Sequence, residues 1–115
     1  MKFIVDRKTW FRGQGPRDSR LLKEGGERCC IGFVGQQCGI KNEDLMGEHV
    51  VHQVPERHKF PRWMTIVVHV GLQLEDSDIY QAYKTNDNLK ITDVEREAQL
   101  KDIFRRNGDE IEFIN

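Results

Sequence analysis

The residues best equipped for chemistry in this 115-residue chain lie near its start. Arg7, Lys8, Arg12, Arg17 and Arg20 surround Trp10, Phe11 and the loop Gly13-Gln14-Gly15-Pro16. An arginine presents a planar fork of donors that matches phosphate or carboxylate. Glycine-rich backbone can approach an anion closely, and an exposed indole can stack on a base. Trp10, Arg12, Gln14, Arg17 and Arg20 are therefore the candidate ligand-binding residues, for a nucleotide or another small anion. The glycine spacing fits neither a P-loop nor a dinucleotide fingerprint. A plainer reading of the same residues has Trp10 and Phe11 anchoring the N-terminal strand to the core while the arginines are solvated. Charge runs are more often surface than site.

The other reactive groups form weaker patterns. Cys29, Cys30 and Cys38 could gather zinc with His49 and His52, but no Cys-x-x-Cys exists and adjacent cysteines rarely ligate one ion together. Cysteine also packs as a small hydrophobe, and a nucleophilic thiol needs a base and an activating environment beside it. His49, His52, His58 and His69 read as solvated or hydrogen-bonded side chains. Glu75, Asp76 and Asp78 could in principle hold Mg²⁺ or hydrolyse a substrate, yet caps, turns and a solvated face account for them more simply. No catalytic residue, metal or cofactor is expected.

Totals narrow the class. With 37% hydrophobic and 32% charged residues the chain is too apolar for a disordered one and can build a modest core. Its length fits one domain, residues 1–115. Net charge is −1, but unevenly placed. Residues 1–28 hold eight basic against four acidic groups, a surplus of +4, and the rest holds ten against fifteen, a deficit of −5. A near-neutral total without a basic helical stripe disfavours duplex DNA as a partner. No apolar run is long enough to span a bilayer, and Asp6, Arg7 and Lys8 interrupt the apolar start, so no signal peptide is expected. An odd set of cysteines fits a reducing compartment.

The elements that must carry these groups follow from pattern. Lys2–Val5 and Glu110–Ile114 read as strands. Gly25-Gly26 reads as a hairpin tip between short runs. Cys30, Val34 and Cys38 fall on one face of a helix over 30–38 that Gly39 ends. Residues 41–62 look irregular, with Val50-Val51 as a short strand. Met64–Leu72 alternates with five β-branched residues and reads as a strand, with a buried helix as the alternative. Asp78–Lys84 reads as a short helix stopped by Thr85-Asn86-Asp87-Asn88. Thr92 and Glu95 form a capping box that starts a helix ended by Asn107-Gly108, with Leu100, Ile103 and Phe104 facing inward, helped by Val94 and Ala98. The fold class expected is α+β: a small, mainly antiparallel sheet, including both terminal strands, packed against the 30–38 and 92–107 helices.

Several segments, taken together, resemble a known family. These are Trp10-Phe11-Arg12-Gly13, Arg20-Leu21-Leu22, Gly26-Glu27-Arg28-Cys29-Cys30-Ile31-Gly32-Phe33, Asn86-Asp87, Glu95-Arg96-Glu97-Ala98 and the closing Ile111-Glu112-Phe113-Ile114. In this order they resemble a family of small tailed-bacteriophage proteins whose members read Trp-Leu-Arg-Gly, Cys-Cys-Leu-Gly, Asn-Asp and Arg-Glu-Ala. Phe11 and Ile31 replace the usual leucines, and residues 41–75 match nothing in the pattern. The resemblance implies phage origin and a place in the host bacterial cytoplasm, without implying a mechanism. By class it points to host takeover or counter-defence. Three functions follow: a non-enzymatic protein that inhibits or sequesters a host factor, a sponge for a nucleotide or similar anion, and a small hydrolase or metal-dependent enzyme. Assembly into a homo-oligomer is compatible with each.

Overall fold

The computed structural model describes residues 1–15, 20–65 and 77–115. Strand β1 spans Lys2–Asp6 and strand β2 spans Glu110–Ile114. Among the described residues four α-helices lie between them: α1 Cys30–Gln37, α2 Asn42–Leu45, α3 Asp78–Asp87 and α4 Asp93–Arg106. The expected antiparallel sheet is overturned. Among the described residues there is one sheet, of two strands, and β1 runs parallel to β2 with Phe3 opposite Ile111 and Val5 opposite Phe113. The termini are neighbours, but the chain between them forms one long crossover, which is what parallel pairing demands. Helices, not strands, supply most of the remaining core.

The reason lies in the middle of the chain. Val50-Val51 does not extend; Val51–Gln53 is a 3-10 turn, followed by others at Arg57–Lys59 and Arg62–Met64. Pro55 and Pro61 each lack an N–H and restrict the residue before them, which favours such short turns over a ladder. The expected hairpin is only a turn: Lys23 N–H donates to Glu27 O at 2.8 Å, while Leu22 pairs with Met46 and Arg28 with Trp10. The strand expected over Met64–Leu72 fails at Met64, which ends a 3-10 turn; residues 66–72 lie outside the described set.

Inward side chains alternate on both strands, as the period of two requires. Phe3, Val5, Ile111 and Phe113 join one continuous apolar cluster with Leu100, Ile103 and Phe104 of α4 and Ile31 and Val34 of α1. Phe104 makes T-shaped contacts with Phe3 and Trp63, with ring centroids 6.2 and 5.2 Å away. The outer edge of β1 is closed by a side chain: the Gln37 carboxamide accepts from Ile4 N–H at 2.8 Å and donates to Ile4 O at 2.7 Å. This covers an edge that would otherwise template further pairing.

Helix α4 forms as its capping signals dictate. Thr92 Oγ1 accepts from Glu95 N–H at 3.1 Å, and Glu95 Oε1 accepts from Thr92 N–H at 3.2 Å. Its buried face is not quite the expected one. Val94 is 81% exposed, whereas Arg96 is 3% exposed and continues the stripe of Leu100, Ile103 and Phe104. Helix α3 runs further than expected, so Thr85, Asn86 and Asp87 form its buried last turn instead of a surface turn.

Candidate functional site

Asn86 organises the N-terminal loop. It is fully buried. Its Oδ1 accepts from Trp10 Nε1–H at 2.8 Å and from Cys30 N–H at 3.0 Å. Its Nδ2 donates to Phe11 O at 3.0 Å and to Asp87 Oδ1 at 3.1 Å. The backbone continues the clamp, with Gly13 N–H donating to Asn86 O at 2.8 Å and Gly15 N–H to Asp87 O at 2.9 Å. The end of α3 therefore holds residues 10–15 by four hydrogen bonds, to Trp10, Phe11, Gly13 and Gly15, across more than 70 residues of sequence.

Trp10 is consequently a core residue, 3% exposed, with its ring centroid 4.7 Å from that of Phe113. It offers no free face for a base. Arg12 stacks on it, with Cζ 4.6 Å from the ring centroid, and its Nη1 donates to Trp10 O at 2.9 Å. Gln14 is exposed and its Nε2 donates to Arg12 O at 3.2 Å. Arg20 sits apart, its guanidinium against the His49 imidazole. Arg17 lies outside the described residues. So Trp10, Arg12 and Gln14 come together, and Arg20 does not join them.

The basic front meets the acidic half of the chain on α4. Arg7 makes a two-pronged pair with Glu97, at 2.8 and 2.7 Å. Arg12 Nη2 donates to Asp93 Oδ2 at 3.1 Å, and Arg96 Nη1 donates to the other carboxylate oxygen, Asp93 Oδ1. Arg96 also donates to Ile91 O at 3.3 Å and to Asn88 O, which staples the α3–α4 connection. Gly13 makes this packing possible. Its φ is +66°, and a Cβ there would come within 3.0 Å of Arg96 Nη2.

These groups line a broad, shallow depression of about 530 Å³, together with the apolar Phe11, Leu89 and Ile91 and the acidic Glu27. Leu89 is 65% exposed. The charges within it are balanced: Arg12 and Arg96 against Asp93 and Glu27. Among the described residues no group of three or more His, Cys, Asp or Glu could hold a metal ion. Cys29 and Cys30 are buried, Cys38 is half-buried, and burial pushes the Cys30 thiol up, away from thiolate chemistry.

Sequence reasoning missed Asn86, Asp93 and Arg96. Arg96 was legible: with Leu100 and Ile103 it sits at i, i+4, i+7 on the apolar stripe, where a charged residue must have a partner. Asn86 gave no such signal, because its partners are 76 and 56 residues away.

Asp93 gives the site an acid dependence. The hydrogen bond from Arg12 holds its carboxyl below the usual carboxylate range, against partial desolvation, and the charges of Arg12 and Arg96 add to the effect. A depressed folded-state value stabilises the protein above the unfolded value, about pH 4, and that contribution disappears as pH falls through the folded value. Asp93→Asn therefore shows a shallower loss of stability between neutral pH and about pH 3 than the wild type, read from urea midpoints across that range.

Compared with known proteins, the chain matches no family model, no curated protein and no solved structure.

Proposed function

We propose that this chain is a non-enzymatic phage protein that acts in the host bacterial cytoplasm by binding and inhibiting or sequestering a host factor, in a host-takeover or counter-defence role. The phage assignment rests on the sequence resemblance. The binding mode rests on one observation: exposed apolar side chains border a rigidly held polar depression whose charges are already matched. Leu89 lines it and Val94, 81% exposed, follows Asp93 at its rim. A broad, open surface with apolar anchors beside fixed polar groups suits a protein partner better than a small ligand, which needs an enclosing pocket. No helix of the described residues is long and apolar enough to cross a membrane.

Val94 and Leu89 touch little of the core, so changing them tests the surface without unfolding the protein. Immobilised wild-type protein retains a specific component of host lysate, and Leu89→Asp or Val94→Asp weakens that retention at least tenfold while the thermal midpoint stays within a few degrees. Retention indifferent to both substitutions would remove this face from the interface. Retention of a nucleotide alone would favour the sponge instead.

A further inference from the structure

Arg28 is a buried cation without an acidic partner among the described residues. It is 6% exposed. No carboxylate among the described residues pairs with it. Its Nη2 donates to Asn42 Oδ1 at 2.9 Å, and its Nη1 has no partner among the described residues. Buried charges in folded proteins are almost always paired, because removing an ion from water is costly unless another charge or several hydrogen bonds compensate. One neutral amide is poor compensation. Desolvation accordingly lowers the pKa of Arg28. The backbone allows no retreat, since Arg28 N–H donates to Thr9 O at 2.9 Å and Arg28 O accepts from Phe11 N–H at 2.7 Å.

Arg28 also forms part of the wall of a second depression, of about 370 Å³, with Asp6, Thr9, Gly26, Gln36 and Gln37. This hollow lies along α1 and is distinct from the Arg12–Arg96 depression. We propose that it is a binding site for a small oxyanion, a phosphate or carboxylate group, with Arg28 as the charged partner and Thr9 and Gln36 as neutral donors. The Gln37 amide is already committed to β1. Nη1 is closed off from solvent, so binding turns the guanidinium tip toward the hollow and loosens its bond to Asn42. A charge-assisted bond to an oxyanion is roughly twice as strong as the neutral one it replaces. Asp6 shares the wall, with Oδ1 accepting from Lys8 N–H at 3.0 Å and Asn115 Nδ2 at 3.3 Å. Its negative charge favours a singly charged anion over a doubly charged one.

The site is tested on the isolated protein, without any host partner, so its outcome is separate from that of the binding face. Thermal midpoints are measured in sodium phosphate, in sodium acetate and in sodium chloride at equal ionic strength. Phosphate or acetate raises the wild-type midpoint above that in chloride, by roughly 5 °C at a tenfold excess over Kd and with the logarithm of concentration beyond it. Which anion acts tells whether the natural ligand carries a phosphate or a carboxylate. Arg28→Gln loses the rise, and Leu89→Asp keeps it. Should Arg28→Gln fail to fold, Gln36→Asp decides: a carboxylate built into the hollow raises the midpoint in chloride and abolishes the anion response. No rise in the wild type beyond chloride, an undiminished rise in Arg28→Gln, or Gln36→Asp with an intact anion response would each overturn the site.

Discussion

Alanine at position 32 leaves the protein without a stable native state. Helix propensity alone argues the opposite, since glycine to alanine inside a helix is worth about 1 kcal/mol of stabilisation. Packing reverses the sign. A Cβ on residue 32 would stand 1.9 Å from Leu21 O, 2.7 Å from Leu21 C and 3.0 Å from Leu21 Cα. All three are backbone atoms, so no rotamer change relieves the contact. The Leu21 segment cannot back away either. Leu21 N–H donates to Glu48 O at 2.8 Å, Arg20 O accepts from Cys29 N–H at 2.8 Å, and the Leu21 side chain is fully buried. Relief requires moving α1 off this strand of backbone and opening the core around Ile31 and Val34, at a cost above about 4 kcal/mol, beyond ordinary overpacking. Gly35→Ala is the internal control. Its Cβ would meet Phe60 Cζ at 2.9 Å and Leu45 Cδ2 at 3.0 Å, both tips of side chains that can shift. The net loss there is about 1–2 kcal/mol after the propensity gain. Urea denaturation followed by circular dichroism separates the two; a Gly32→Ala protein with a wild-type midpoint would refute the close approach.

The same pair of glycines shows what the sequence could and could not convey. Glycine's cost to a helix is legible from residue type, and a glycine inside a helix points to close approach by another element; which element, and that it is bare backbone, is not legible. Local signals carried α1, α4 and both terminal strands, because apolar period, capping box and terminating glycines are all short-range. Strand direction was not legible, since a five-residue alternation is the same for parallel and antiparallel neighbours. Of the internal elements expected to extend, the hairpin at Gly25-Gly26 and the short strand at Val50-Val51 do not form, and Met64–Leu72 lies mostly outside the described residues. At the candidate site, residue type was a poor guide to exposure. Trp10 and Arg12 are adjacent to a flexible-looking Gly-x-Gly loop, yet that loop is pinned by the end of α3, 70 or more residues on. Long-range pairing of this kind leaves no periodic trace.

Asn86→Ala shows how much of the candidate site depends on that pinning. The carboxamide bonds to Trp10, Phe11, Cys30 and Asp87 and has no exposure to water. Truncation strands the buried Trp10 indole N–H and the Cys30 N–H at the first residue of α1. Each unsatisfied donor costs about 1–3 kcal/mol, because water cannot replace the lost oxygen. With the cavity left by the side chain, the expected loss is about 3–5 kcal/mol. The functional consequence is larger than the loss of one side chain suggests. Releasing Trp10 frees Arg12 from its stacking surface, and Gly13 and Gly15 lose the fixed register in which they donate to Asn86 O and Asp87 O. The depression that Arg12, Gly13 and Gln14 help to line then loses its shape. Asn86→Asp separates the two roles of the side chain. It keeps an acceptor for Trp10 and Cys30 but cannot donate to Phe11 O, and it places a second carboxylate against Asp87. Amide hydrogen exchange at residues 11, 13 and 15 measures the outcome directly. Protection there should fall in Asn86→Asp under conditions where α4 remains protected, whereas Asn86→Ala should lower protection throughout. Unchanged protection at 11, 13 and 15 in both variants would mean that the loop is held by some other contact, and that the polar depression owes its form to α4 and not to Asn86.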